Sequence, residues 1–195
     1  NLGNGNLNVK IVGTHSGVTV GPDGATAQAL EDIASMRVLP GMAVLVPADA
    51  IEAKKAAIAA ASYPGPVYIR LGRGPVPIIT QESDPFTIGK GNLMRLGKDV
   101  TLVACGILVD EALQAANLLS QEHIESSVIN LHTIKPLDGS LLLEAAQRTG
   151  AVVTAEEHQV NGGLGGAVAE FLARSWPVPM EMVAIQDTFG ESGGE

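Results

Sequence analysis

The 195-residue sequence predicts an α/β protein: a partial parallel sheet followed by a doubly wound, mostly parallel α/β sheet. Short Val/Ile/Leu runs alternate with helix-period segments along most of the chain. The runs are apolar at nearly every position, the pattern of strands covered on both faces. Apolar residues make up 46% and aromatics 3%, so the core is built mainly from Val, Ile, Leu and Ala.

Residues 1–7 have turn composition and read as a loop. A strand over 8–13 delivers Thr14-His15-Ser16-Gly17 at its end. The turn Gly21-Pro22-Asp23-Gly24 then feeds a helix over 26–37, on the helical spacing of Leu30, Ile33, Ala34 and Arg37. Pro40-Gly41 stops it, and a short buried strand follows at 42–46. Asp49 with Glu52 is a capping box for a helix over 51–61. Pro64-Gly65-Pro66 resets the chain before a strand at 67–71.

Residues 72–98 are rich in Gly and Pro, with Asp84-Pro85 as a turn signal, and read as an interdomain connection containing one short strand at 86–88. Strand 100–104, helix 109–120 and strand 125–130 come next. Asp138 is the N-cap of a helix over 140–148 and Gly150 its C-cap. Strand 151–155, helix 163–175 and strand 181–185 complete the pattern. The expected division is 1–75, a linker at 76–98, and 99–195. A first sheet of three or four strands leaves an edge exposed unless upstream sequence or another chain pairs with it.

Twelve Lys and Arg against twenty-one Asp and Glu give a net charge of −9. That charge argues against a general nucleic-acid or anionic-membrane surface, and the scarcity of aromatics argues against base stacking. The single cysteine, Cys105, excludes an intramolecular disulfide framework and a cysteine-rich zinc site, and its apolar run reads as core. No basic segment leads into an apolar one at the start, and no apolar run reaches the roughly 20 residues of a bilayer span. The expected location is cytoplasmic.

The residues best placed for chemistry lie between the first strand and first helix, where loops at the carboxyl ends of parallel strands converge. His15 is suited to donating to a phosphate or shuttling a proton, or else to bonding a loop carbonyl. Asp23 is either an acceptor for a substrate hydroxyl or a turn aspartate bonded to its own backbone. Arg73, between Gly72 and Gly74, offers a planar donor fork with room for close approach, whereas strand alternation turns Arg70 elsewhere, into an ion pair.

Gly162-Gly-Leu-Gly-Gly166 lacks a Walker lysine and dinucleotide spacing, so it reads as close packing at a helix start. Glu156-Glu157-His158 lacks further ligands at metal spacing and reads as a wetted strand end or subunit-contact loop. Ser16 lacks a nucleophile-elbow context.

Thr14-His-Ser-Gly17, Val20-Gly-Pro-Asp-Gly-Ala-Thr26, Ala29-Leu-Glu-Asp-Ile33, Pro47-Ala-Asp49, His132-Thr-Ile-Lys-Pro-Leu-Asp138 and Phe189-Gly-Glu-Ser-Gly193 together resemble the transketolase family across nearly the whole chain. The resemblance is to the latter part of the pyrimidine-binding domain and the C-terminal domain, as in the C-terminal subunit of split-chain transketolases. It implies thiamine-diphosphate-dependent transfer of a two-carbon ketol unit from a ketose phosphate to an aldose phosphate, in the pentose phosphate pathway. The cofactor, with Mg2+ or Ca2+, would be held in the complete enzyme and not tightly by this chain alone. The implied partners are an amino-terminal transketolase section, sugar phosphates and further copies in a homo-oligomer such as a dimer, with no nucleic acid and no membrane.

By this resemblance His15 binds the phosphate or terminal oxygen of the sugar, Asp23 a hydroxyl next to the reacting carbon, and Arg73 the phosphate. Many relatives carry a histidine after the aspartate-glycine turn where this chain has Ala27, followed by Gln28. Alanine offers no donor, so Gln28, water or another residue would take over that histidine's catalytic contribution. The family's activating glutamate and its diphosphate-binding domain belong to segments outside this sequence, as does a last helix after Gly190. The chain therefore reads as a section of a larger polypeptide. The alternatives are a 1-deoxy-D-xylulose-5-phosphate synthase-like enzyme and a non-catalytic assembly or regulatory subunit.

Overall fold

Two sheets carry the chain in a computed structural model that describes residue 5 and residues 7–193, so most of the loop expected at 1–7 lies outside the described residues. In chain order the elements are β1 (Lys10–Gly13), α1 (Asp32–Arg37), β2 (Ala43–Leu45), α2 (Ala50–Ser62), β3 (Val67–Arg70), β4 (Asn92–Arg95) and β5 (Val100–Ala104). They continue as α3 (Leu108–Gln121), β6 (Ser126–Asn130), β7 (Thr133–Lys135), α4 (Gly139–Thr149), β8 (Val152–Gln159), α5 (Leu164–Ser175) and β9 (Met180–Ile185).

The second sheet runs β4-β6-β5-β8-β9, with only β4 antiparallel to its neighbour. It is doubly wound because successive residues of a strand face opposite ways. Leu102 and Ala104 of β5 pack with Val109, Ala112 and Ala116 of α3. Val103 between them joins Leu142 of α4 and Leu164, Val168 and Leu172 of α5. The apolar cluster on that side continues into Val44 and Tyr68 of the first sheet and Ile33 of α1, so one core serves both sheets. Asp49 caps α2 by accepting from the Glu52 N–H at 2.9 Å, Asp138 caps α4 from Leu141, and Gly150 ends α4 at φ +70°.

The first sheet has the order β1-β3-β2-β7. Its three parallel strands are expected ones, but β7 comes from the His132–Asp138 motif and pairs antiparallel with β2. One edge that sequence left without a partner is thus covered from within the chain.

Three expectations about the elements need correction. The helix over 26–37 is only Asp32–Arg37, preceded by a 3-10 turn at Gly21–Asp23. Residues 26–30 are drawn out of the helix because Ala29 bridges to Ser16, its carbonyl accepting from the Gly17 N–H at 2.9 Å. The strand placed at 86–88 is absent from that segment and lies at Asn92–Arg95 instead, where the partner strand β6 is within reach. Phe86 stacks on the buried His132 ring with centroids 4.2 Å apart. Finally, β8 runs on to Gln159, so Glu156, Glu157 and His158 lie inside a strand and are buried, not at a wetted strand end. Among the described residues no helix is long and apolar enough to cross a membrane.

Candidate active site

β1 and β3 are adjacent parallel strands, with Gly13 opposite Arg70, so their carboxyl ends bring the 14–23 loop beside Gly72-Arg73-Gly74. Arg73 bridges them. Its Nη1 donates to the Val20 carbonyl at 2.8 Å and to Asp23 Oδ2 at 3.0 Å. Both side chains keep an open side toward solvent. A Cβ on Gly72 or Gly74 would meet nothing within 4 Å, so the backbone on either side of Arg73 is open.

His15 sits on the same loop with φ +60°, exposed, its Nδ1 3.0 Å from Thr14 Oγ1. A left-handed backbone at a non-glycine residue is unusual, and here it turns the imidazole outward. Arg73 also borders a cavity of about 430 Å³ with Thr19, Pro75, Ile107, Asp110 and Glu111. His15 and Asp23 are not among the residues lining it, and its two acidic residues suit an anion poorly. The Arg73–Asp23 pair faces solvent, with the two side chains 35% and 48% exposed.

Gln28 has a different place. Both hydrogens of its amide are used, toward the Val18 carbonyl at 3.2 Å and the Glu191 carbonyl at 3.1 Å. Its buried Oε1 lies so close to Gly190 that a Cβ there would overlap it. Ser192 Oγ donates to the Pro22 carbonyl at 2.8 Å. The Phe189–Gly193 motif therefore closes back over the 21–28 loop, and Gln28 is the clamp between them. In this arrangement both amide N–H groups are engaged by backbone carbonyls and Oε1 is buried without a partner.

Beneath the loop, Arg70 is the expected ion-pairing arginine. It binds Asp32 and gives Nη2 to the carbonyls of Ala29 at 3.0 Å and Glu157 at 2.8 Å. The three polar residues of β8 each serve a different backbone segment. Glu156, 3% exposed, accepts from the Leu164 and Gly165 N–H groups at 2.6 and 2.8 Å, capping α5. His158, fully buried, donates from Nδ1 to the Gln159 carbonyl and accepts the Ala34 N–H of α1 at Nε2, 3.3 Å away. Glu157 accepts the Thr19 N–H at 2.7 Å.

Burial pushes the Glu156 carboxyl up, partly offset by those two N–H donors. The helix-start reading of Gly162–Gly166 is what the structure shows, because a Cβ on Gly163 would overlap the Glu156 carboxylate. Among the described residues no three His, Cys, Asp or Glu side chains gather as a cation site. Sequence reasoning gave Glu157 and Ser192 no role of their own: the first stood in the Glu156-Glu157-His158 cluster and the second inside the Phe189–Gly193 motif, and their contacts to Thr19 and Pro22 lie far along the chain. Cys105 is buried, as expected, and burial pushes its thiol well up.

Two family profiles match: "Transketolase, pyrimidine binding domain" over residues 1–78 and "Transketolase, C-terminal domain" over residues 89–195. A 6-deoxy-6-sulfo-D-fructose transketolase subunit of Clostridium sp. (strain MSTE9) is 48% identical over 187 residues, 96% of this chain and 58% of that protein. An apulose-4-phosphate transketolase subunit of Phocaeicola vulgatus is 41% identical over 181 residues, 92% of this chain and 58% of that protein. A solved split-gene transketolase, described as an inactive beta4 tetramer, superposes with a TM-score of 0.87 at 50% identity over 93% of this chain and 58% of its own. The chain thus spans somewhat more than half the length of these relatives. On these matches, and on a fold shared at that level of identity, the chain belongs to the transketolase family.

Proposed function

We propose that this chain is the carboxyl-terminal section of a split transketolase that, with an amino-terminal section, moves a two-carbon ketol unit from a ketose phosphate to an aldose phosphate. The observation that carries the reading is the Arg73 bridge to Val20 and Asp23, which sets a strand-end guanidinium beside a carboxylate on the loop that also bears His15. In this reading Arg73 and His15 take the anionic end of the sugar and Asp23 accepts from a hydroxyl near the reacting carbon. Fixed at two points, the sugar is held in one orientation, so binding energy is used for geometry at the reacting carbon.

The cofactor that the family implies is thiamine diphosphate, whose metal–diphosphate end needs oxygen ligands to a divalent cation. We assign that end to the amino-terminal section. The similarity to a sulfo-fructose transketolase subunit supports a second reading of the same contact, a sulfonate in place of the phosphate, because a guanidinium fork binds either group.

The test is steady-state kinetics of the assembled enzyme with phosphorylated, sulfonated and neutral sugars. Arg73→Ala should raise KM for the anionic sugars roughly 10- to 150-fold, the equivalent of about 1.5–3 kcal/mol for a charged hydrogen bond, with kcat less affected. Neutral sugars should be little changed. An equal loss on all three substrates in a stable, assembled variant would remove Arg73 from the role. Pyruvate decarboxylation in place of ketol transfer would favour deoxyxylulose-phosphate synthesis, and no turnover in the complete assembly a non-catalytic subunit.

A further inference from the structure

We infer that Glu157, a residue of the second sheet, is a positioning residue for the sugar-anion loop; the inference rests on the reading of Arg73, His15 and Asp23 given above. The loop has little regular structure of its own to fix it. Besides Gly21 at φ +61°, it passes through two closely spaced left-handed positions, His15 at φ +60° and Gly17 at φ +84°. Between them Ser16 is anchored to β3, donating from N and Oγ to the Leu71 carbonyl at 3.2 and 2.7 Å. Beyond Gly17 the anchor changes to β8, where Glu157 Oε1 accepts the Thr19 N–H at 2.7 Å.

The Glu157 carboxylate lies flat against Gly17, so close that any side chain at 17 would overlap it. Glycine is therefore required there twice, by its φ and by the carboxylate. Glu157 is only 8% exposed, and its backbone carbonyl accepts from Arg70 Nη2 at 2.8 Å, three residues before Arg73. One residue of β8 thus holds both arms of the site. Its side chain fixes the loop one residue ahead of Val20, which accepts from Arg73, and its main chain is tied to the strand that delivers Arg73.

A carboxylate is well suited to the task because a charged acceptor makes a shorter, stronger hydrogen bond to a backbone N–H than a neutral one. Glu157 touches no substrate in this arrangement. Its effect passes through Thr19 and Val20 to Arg73 and Asp23.

The experiment uses the full-length chain assembled with its amino-terminal section, comparing Glu157→Ala, Glu157→Gln and Arg73→Ala. Amide hydrogen exchange over 14–23 should quicken at least tenfold in Glu157→Ala. In Glu157→Gln, which keeps an acceptor for Thr19, it should stay within about threefold of the parent. KM for a phosphorylated acceptor should rise about tenfold in Glu157→Ala with kcat within a few-fold, and recover in Glu157→Gln.

Unchanged exchange in Glu157→Ala overturns the inference whatever the kinetics. Faster exchange with an unchanged KM, while Arg73→Ala still raises KM, reduces Glu157 to a purely structural part and overturns it as well. If Arg73→Ala also leaves KM unchanged, the sugar-anion reading of the loop fails and the positioning role falls with it.

Discussion

Arg70 Nε lies 2.8 Å from Asp32 Oδ2, with the two side chains only 5% and 11% exposed. The same carboxylate accepts from the Tyr68 hydroxyl at 2.7 Å, so Asp32 fastens α1 to two residues of β3. A buried pair of this kind adds little over an apolar replacement, but removing one member strands the other. Asp32→Ala should therefore cost about 3–5 kcal/mol of folding stability, measured by urea unfolding. A loss under about 1 kcal/mol would show that water or another acceptor replaces Asp32.

Gly163 is at the start of α5 against the Glu156 carboxylate, whose Cδ would lie 2.6 Å from an added Cβ. Glu156 cannot swing aside without giving up both N–H groups it accepts at the helix start. The backbone φ of −80° is not left-handed, and the obstacle that Gly163→Ala meets is the Glu156 carboxylate. The variant should lose about 1–3 kcal/mol, the usual range for overpacking. Gly74→Ala, with nothing within 4 Å of its Cβ, should stay within about 0.5 kcal/mol of the parent. Equal effects at the two positions would contradict the packing assigned to Gly163.

Burial holds the His132 imidazole down to about 4, from an ordinary value of 6.5. The folded state therefore resists taking up a proton that the unfolded chain accepts. The corresponding stability is present above pH 6.5 and is lost as the pH falls from there toward 4. A shift of that size is worth about 3 kcal/mol. Denaturant unfolding between pH 7 and 4 should show the decline, and His132→Gln should flatten it. A slope unchanged by that substitution would place the acid sensitivity elsewhere.

Calorimetric titration of the isolated chain with thiamine diphosphate and magnesium should give no saturable binding near about 1 μM, equivalent to about −8 kcal/mol. Stoichiometric binding at that level would mean that this chain carries a diphosphate site of its own.

The alternation of strand and helix, the helices α2 to α5 and the caps at Asp49, Asp138 and Gly150 were legible in the chain because each depends on neighbours within a turn or two. The capping box shows the limit of that reasoning. Asp49 takes the Glu52 N–H as expected, but Glu52 accepts instead from the Ala48 N–H at 2.7 Å and from Asn130 at 2.8 Å, a residue of β6. The candidate residues Arg73 and Asp23 were named from a glycine-flanked arginine and a turn, whereas the 3.0 Å link between them joins positions 50 residues apart.

Local periodicity by itself determined where helices and strands could form, and the family motifs in the chain pointed to the loop that bears the site. Tertiary structure decided what distant backbone groups required. Ser16 drew Ala29 into a bridge and shortened α1, β2 recruited the 133–135 segment as its neighbour, and three remote sets of N–H donors turned Glu156, Glu157 and His158 inward. Helical spacing reports only on residues a few positions apart. A buried carboxylate is tolerable only where donors from elsewhere in the fold arrive to satisfy it.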